Sequence, residues 1–412
     1  MPARSHKRRS PGEGSVWPYT TKAGERRIAI GYVVQAPDGT RKRVTRRRGP
    51  NGERWTTERD AKRALREILA AADKGEHVDP SRQPVSAYLD EWLAGLRLRP
   101  GTVASYRRNL RVHVTPAIGA VPLASLTTAR INALYRQLER SGRADLRAGE
   151  RGLSPRTVRY VHTILSAALA SAVRERRLAR NPAADAKPPT AREAKAPEMQ
   201  CWTAGQLAAF LRWSGEHSEH HTLWAVLAAT GMRRGEALAL RWRDVGLDGG
   251  TVSVRRSAGV VRDKGEAPVI VEGDTKSGKP RVVDLDAATV ALLRAYRRER
   301  GAMALQLARD DALVFGDHEG RARYPEGVSR RFAMDLARCR KAGADLPVIR
   351  LHGLRHTHAT ILLSAREPVH VVSRRLGHAT PTVTMSIYAH VLPGSQREAA
   401  DLFASLIEEA EA

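Results

Sequence analysis

The sequence predicts a mostly helical protein with small β elements, an α+β arrangement spread over several domains. Three observations carry that expectation. Apolar residues recur at helical spacing through most of the chain after residue 57. Strand-like runs are short and fall within residues 15–46 and 251–285. The chain has 412 residues, and a single domain usually holds about one to two hundred.

Taken in order, residues 1–14 are basic and broken by Pro and Gly, and read as a disordered tail. Residues 15–80 read as a ββ(β)α domain. Its clearest strand is Arg27–Val34, followed by a Pro37-Asp38-Gly39 turn and a second strand over Thr40–Arg46. A helix starts near Thr57, with Asp60 as a weak capping partner and Ala61, Ala64, Leu65, Ile68 and Leu69 as its apolar stripe. Residues 81–183 read as about four helices, over Val85–Leu96, Thr102–Val114, Thr127–Leu138 and Ser154–Arg174. Ser154-Pro155 is a cap followed by proline at the first helical position. Residues 184–200 are poor in apolar residues and rich in proline, as a linker would be. Residues 201–395 read as a mixed domain. Helices are expected at Thr203–Arg212 and His221–Leu240, strands at Thr251–Arg255, Pro268–Val271 and Arg281–Leu285, and helices thereafter. Residues 396–412 form an amphipathic tail around Leu402, Phe403, Leu406 and Ile407.

Charge narrows the function. Lys and Arg total 70 against 44 Asp and Glu, a formal +26. Residues 1–80 carry net +9, residues 81–197 net +13 and residues 198–412 only +4. An excess concentrated in one half points to a polyanion as partner. Six of the eight residues 41–48 are basic: Arg41, Lys42, Arg43, Arg46, Arg47 and Arg48. Arg107, Arg108 and Arg111 repeat the theme on a helix. Two cysteines, Cys201 and Cys339, are too few for a disulfide framework or a Cys-rich zinc site. No signal peptide or run of about 18 apolar residues is present, so no membrane role and a cytoplasmic setting are expected.

Three clusters in the mixed domain carry chemistry. In Thr230-Gly231-Met232-Arg233-Arg234-Gly235-Glu236, Arg233 and Glu236 are three apart, so one helical face would hold both. In His352-Gly353-Leu354-Arg355-His356-Thr357-His358, His352 and Arg355 can converge on one anion. His352 and His356 also have half of a zinc-site spacing, but no third ligand accompanies them, so no metal is assigned. In Leu376-Gly377-His378-Ala379-Thr380-Pro381, a cap and proline start a helix that carries Tyr388.

Together these boxes resemble the signatures of the tyrosine recombinases, the phage integrase family. The likeness is strong over roughly 198–395 and weaker over the helical region 84–183. The first 80 residues look like the arm-type DNA-binding domain of many integrases, and 81–183 like their core-binding domain. The resemblance implies a site-specific integrase that cuts and rejoins DNA through a 3′-phosphotyrosyl link, without metal, ATP or other cofactor. Tyr388 would be the nucleophile, Arg233 and Arg355 the phosphate clamps, His352 the base and His378 a further phosphate donor. Glu236 would orient Arg233. A lysine in a hairpin would protonate the leaving oxygen; Lys276 fits best in Gly273–Arg281, with Lys279 as rival. Arg234 and His356 read as structural or DNA-backbone contacts.

The implied partners are double-stranded attachment sites on the bacterial nucleoid, three further copies of the chain in a tetramer, and an excisionase or host DNA-bending protein. Alternatives are a chromosomal or plasmid resolution recombinase, a type IB topoisomerase-like strand transferase, and a non-enzymatic regulator. The arm-like region disfavours the first, the amphipathic tail the second, and a full set of six site residues the third.

Overall fold

The computed structural model describes residues 14–35, 41–49, 54–73, 83–142, 152–195, 199–262, 267–275, 278–388 and 396–411. The basic tail before residue 14, the Pro37-Asp38-Gly39 turn and Lys276 lie outside them. The chain divides into two compact units, Met1–Ala196 and Pro197–Ala412. Among the described residues no helix is long and apolar enough to cross a membrane.

The first unit opens with three antiparallel strands in sequence order, β1 (Ser15–Thr20), β2 (Arg26–Gln35) and β3 (Arg41–Arg46). Helix α1 (Glu58–Asp73) packs on them. Its start is the expected one: the Thr57 hydroxyl accepts the Asp60 N–H at 3.1 Å and donates to the Asp60 carboxylate at 2.7 Å. Ile30, Tyr32, Trp55, Ala61 and Leu65 form the core between sheet and helix. Strand alternation turns Val44 to that core and leaves Arg43 exposed. The Arg46 guanidinium lies over the Tyr32 ring at 5.8 Å and that of Arg47 over Tyr19 at 4.9 Å.

The rest of this unit is helical. Helices α2 (Val85–Ala94), α3 (Pro100–Asn109) and α4 (Thr115–Ile118) come first, then α5 (Thr128–Ser141) and α6 (Pro155–Arg174). Thr127 and Ser154 cap α5 and α6 by accepting N–H groups three residues on. Helix α6 buries Val158, Val161, Ile164, Leu165, Ala168, Leu169 and Ala172 along one stripe. The helix expected over 102–114 forms, and the backbone stays helical from Pro100 to Ile118 with a wide π-type segment at Leu110–Val114. Pro116, which has no N–H to donate, follows that segment. Arg108 and Arg111 are exposed there, and Arg107 is half-buried.

The stretch read as a linker from residue 184 begins pinned rather than free. Thr128 donates to the Pro182 carbonyl at 2.8 Å, Arg159 to that of Pro189 at 2.9 Å, and the Lys187 N–H to the Asn132 side chain at 2.7 Å.

The second unit contains α7 (Ala204–His217), α8 (His221–Thr230) and α9 (Arg234–Leu238). Thr203 and Gln206 form a full capping box at the start of α7. Strands β4 (Val245–Gly246), β5 (Thr251–Val254), β6 (Arg256–Val261), β7 (Val269–Asp274) and β8 (Arg281–Asp284) follow. Then come α10 (Ala287–Met303), α11 (Pro325–Lys341), α12 (His352–Ser364), α13 (Val369–Leu376), α14 (Pro381–Tyr388) and α15 (Gln396–Glu411). One core joins Trp202, Phe210, Trp224, Trp242 and Phe332 with the aliphatic residues of these elements.

Two sequence expectations change here. The helix expected over 221–240 is two helices, because Gly231 ends α8 in the left-handed region at φ 63°. A Cβ there would sit 2.8 Å from both His358 and Leu376, so only glycine makes this turn. The expected hairpin over 273–281 is not one either. β7 pairs with β6, with Asp274 opposite Arg256, and β8 pairs with β5, with Arg281 opposite Val254. The returning chain therefore pairs first with β6 and then with β5.

Candidate active site

Four segments distant in sequence meet in the second unit: the α8–α9 turn, the start of β8, α12, and the α13–α14 turn with α14. Each contributes a polar or charged side chain.

Breaking the helix at Gly231 puts Arg233 in extended backbone as the N-cap of α9, not on a helical face. Glu236 then reaches back. Its carboxylate accepts the Arg233 N–H at 2.9 Å and the Arg233 guanidinium at 2.7 Å. The same carboxylate accepts two N–H groups of Arg281, at 2.7 and 3.2 Å. Glu236 is buried. Burial alone would raise its pKa, but the hydrogen bonds from Arg281 and Arg233 outweigh burial and hold it below the ordinary carboxylate range.

Arg281 is the residue that reading the sequence missed. Its side chain is 7% exposed and also donates to the Arg375 carbonyl at 2.9 Å. Gly377, left-handed at φ 68°, lets it lie close, since a Cβ there would be 2.8 Å from the Arg281 guanidinium. Its partner Glu236 is 45 positions away, so no local motif marks it. Arg233 donates its other nitrogen to the Gly377 carbonyl at 3.5 Å.

In α12, His352 is the first helical residue and Arg355 follows one turn later. Arg355 is 3% exposed. One guanidinium nitrogen donates to the Gly231 carbonyl at 2.7 Å. The other, Nη2, is buried with no hydrogen-bond partner among the described residues. Burial, then the charges of Arg233 and Arg281, lower the Arg355 pKa, while Glu236 works the other way. A cation destabilised in this manner favours an arriving anion.

The histidines separate by role. His358 is structural: its Nδ1 bonds the Ala228 carbonyl at 2.8 Å and its Nε2 accepts from Arg375 at 3.2 Å. That pattern fixes one neutral tautomer. His378 follows Gly377 and bonds Thr384 at 2.8 Å. Burial and the charges of Arg355, Arg233 and Arg281 push it down to about 4. His352 is exposed, yet the surrounding protein, then His356, Arg355 and Arg233, push it down to about 4. Both are therefore neutral near pH 7.

Tyr388 ends α14 and is 1% exposed, packed with Ala359, Leu363, Val372 and Leu376. Its hydroxyl partner is His356, at 2.7 Å from Nδ1, whereas sequence reading assigned it His352. The two histidine rings are perpendicular, with centroids 4.7 Å apart.

Arg233, Glu236, His352, Arg355, His378 and Tyr388 are thus brought together. Arg234 is turned away, donating to Ser329 on α11 at 2.6 Å. Thr275, before the undescribed Lys276, is buried and its hydroxyl bonds the Lys279 carbonyl at 3.0 Å. Lys279 is exposed. Among the described residues no His, Cys, Asp and Glu side chains converge as a metal-holding group.

The chain as a whole is similar to known proteins. Residues 204–394 match the phage integrase family, and residues 85–138 match the phage integrase N-terminal SAM-like domain. The integrase of Mycobacterium phage FRAT1 is 28% identical over 338 residues, 81% of this chain and 88% of that protein. The fold is similar to the Tn1549 transposon integrase in complex with a circular intermediate DNA, with TM-score 0.62 at 18% identity, covering 78% of this chain and 99% of that one. It is also similar to a lambda integrase tetramer bound to a Holliday junction, with TM-score 0.53 at 15% identity over 89% of this chain and 96% of that one. The chain belongs to the phage integrase family and is a site-specific tyrosine recombinase.

Proposed function

We propose that the cluster clamps the scissile phosphodiester of a DNA attachment site and that Tyr388 attacks it. The observation that carries this is Arg355 Nη2, a buried donor with no partner among the described residues. Leaving such a group unpaired costs about 1–3 kcal/mol or more when charged, and a phosphate oxygen would recover that cost. Arg233 supplies the second planar fork, held by Glu236, and His378 a further donor. Forked guanidinium groups bind two oxygens at once.

Attack joins the tyrosyl oxygen to the 3′-phosphate and releases a 5′-hydroxyl. The phosphodiester energy is kept in the covalent link, so strand exchange needs no ATP. The arginines supply the charge that stabilises the transition state, so no metal is required. Lys276 is assigned to protonate the departing oxygen; Arg281, at the start of β8, is tied to Glu236.

Exchange between two duplexes requires four copies. The α15 tail leaves Leu402, Phe403, Leu406 and Ile407 exposed, at 60, 68, 54 and 47%. We assign that stripe to a neighbouring copy in the tetramer. The first 80 residues and Arg107, Arg108 and Arg111 are assigned to the DNA backbone, on the nucleoid, with an excisionase or host bending protein setting direction.

The test mixes the full chain with two duplexes carrying candidate attachment sites, in EDTA and without nucleotide. Recombinant joints that vanish in Arg355→Lys are expected. Relaxation of one supercoiled duplex without joints would transfer the assignment to a topoisomerase.

A further inference from the structure

The nucleophile's hydrogen-bond partner does not coincide with the histidine that its motif singles out. Tyr388 Oη lies 2.7 Å from Nδ1 of His356, with ring centroids 5.8 Å apart and planes tilted by 55°. The His352 ring meets the His356 ring edge to face, with centroids 4.7 Å apart. The groups around His356 are His352 and Arg355 on its own helix, Tyr388 on α14 and His378 on the turn before it. None of these is an acid.

We propose that His356 is a catalytic residue that takes the Tyr388 proton, with His352 supporting it. The inference rests on the recombinase chemistry proposed above. In the step, the tyrosyl oxygen–phosphorus bond forms, the phosphorus–5′-oxygen bond breaks, and the Oη proton moves to His356 Nδ1. The 5′-oxygen takes its proton from a separate group, Lys276 in our assignment. In the religation step His356 returns the proton to Oη.

Physical chemistry favours a direct acceptor. Burial raises the Tyr388 pKa, and Arg355 only partly opposes it. The hydroxyl therefore does not ionise by itself near neutral pH; the proton must leave to a group already in contact. His356 is neutral there, because burial and then Arg355 lower its pKa. A neutral imidazole has one ring nitrogen able to accept. It is a poor base while Arg355 is the charged group acting on it. A phosphate seated on Arg355 and Arg233 adds negative charge nearby and raises its proton affinity. DNA thus arms its own acceptor, and the empty site holds the tyrosine protonated.

The experiment measures covalent adduct formation by the full chain on a nicked suicide duplex over pH 6–9. Wild type is compared with Tyr388→Phe, His352→Asn and His356→Asn; asparagine keeps a polar group near Nδ1 without basicity. His356→Asn should lose on the order of 10²-fold or more, the loss shrinking as pH rises, and His352→Asn should lose less. A 5′-bridging phosphorothiolate, which needs no acid, should leave the His356→Asn defect in place. Placing 3-fluorotyrosine at 388, a more acidic phenol, should reduce it. This partial rescue separates proton transfer from a folding defect. A His356→Asn rate within a few-fold of wild type, rescue by the phosphorothiolate, or no gain from 3-fluorotyrosine would overturn the inference. An adduct in Tyr388→Phe would instead overturn the reading on which it rests.

Discussion

Glu236 and Arg281 form a buried bidentate pair, with two guanidinium nitrogens at 2.7 and 3.2 Å from one carboxylate that also holds Arg233. The start of β8 and the α8–α9 turn that carries Arg233 are thereby fastened at one point. Removing one member of a buried ion pair costs about 3–5 kcal/mol. Glu236→Gln is expected to lower unfolding free energy on that scale and to abolish cleavage, while Arg281→Lys, which cannot fork, loses most of the activity. Denaturant unfolding and adduct yield of the two variants check this.

The same pair sets an acid limit. Glu236's folded pKa is depressed, so its contribution to stability is fully present above the ordinary carboxylate range and is lost as pH falls through the folded pKa. Wild type should lose more stability than Glu236→Gln between pH 7 and the acid range. Equal losses in thermal melts would contradict the pairing.

Gly231→Ala is expected to be costly at a position with no catalytic group. The residue is left-handed and its Cβ would strike His358 and Leu376. Strain of about 1–3 kcal/mol is expected, and Arg233 and the Gly231 carbonyl that holds Arg355 would shift with it. A fall in Tm together with a fall in adduct yield at unchanged DNA binding is the expected result.

The exposed apolar stripe of α15 predicts a separation of assembly from binding. Leu402→Glu with Phe403→Glu should leave single-site DNA binding unchanged and reduce tetramer formation on paired sites, as read by analytical ultracentrifugation. Unchanged assembly would end the docking assignment.

The basic strand β3 and the residues after it predict a salt effect. Each phosphate neutralised contributes about 0.9 log units of affinity per log unit of salt. Deleting residues 1–80 should flatten that slope by several such increments. An unaltered slope would remove this region from the DNA interface.

Elements marked by local chemistry were legible in the sequence: the Thr57 and Ser154 caps, the α6 stripe, the strands of the first domain and the His-x-x-Arg spacing all depend on neighbours within a few residues. What escaped depended on distance. A helix through Gly231 satisfies periodicity, and only His358 and Leu376, over a hundred positions away, show why the chain must turn there. β6 was not foreseen, and without it β7 and β8 looked like each other's partners. Arg281 pairs with Glu236, 45 positions away, and not with the neighbouring Asp284. His356 looked like a bystander because its meaning comes from Tyr388, 32 positions on.

The most direct test of the central claim is a suicide duplex incubated with wild type and with Tyr388→Phe in EDTA, followed by denaturing electrophoresis and peptide mapping of the adduct. An SDS-resistant protein–DNA link in wild type alone, mapping to the peptide that contains Tyr388, is the predicted result. A link that persists in Tyr388→Phe, or that maps to another residue, would contradict it.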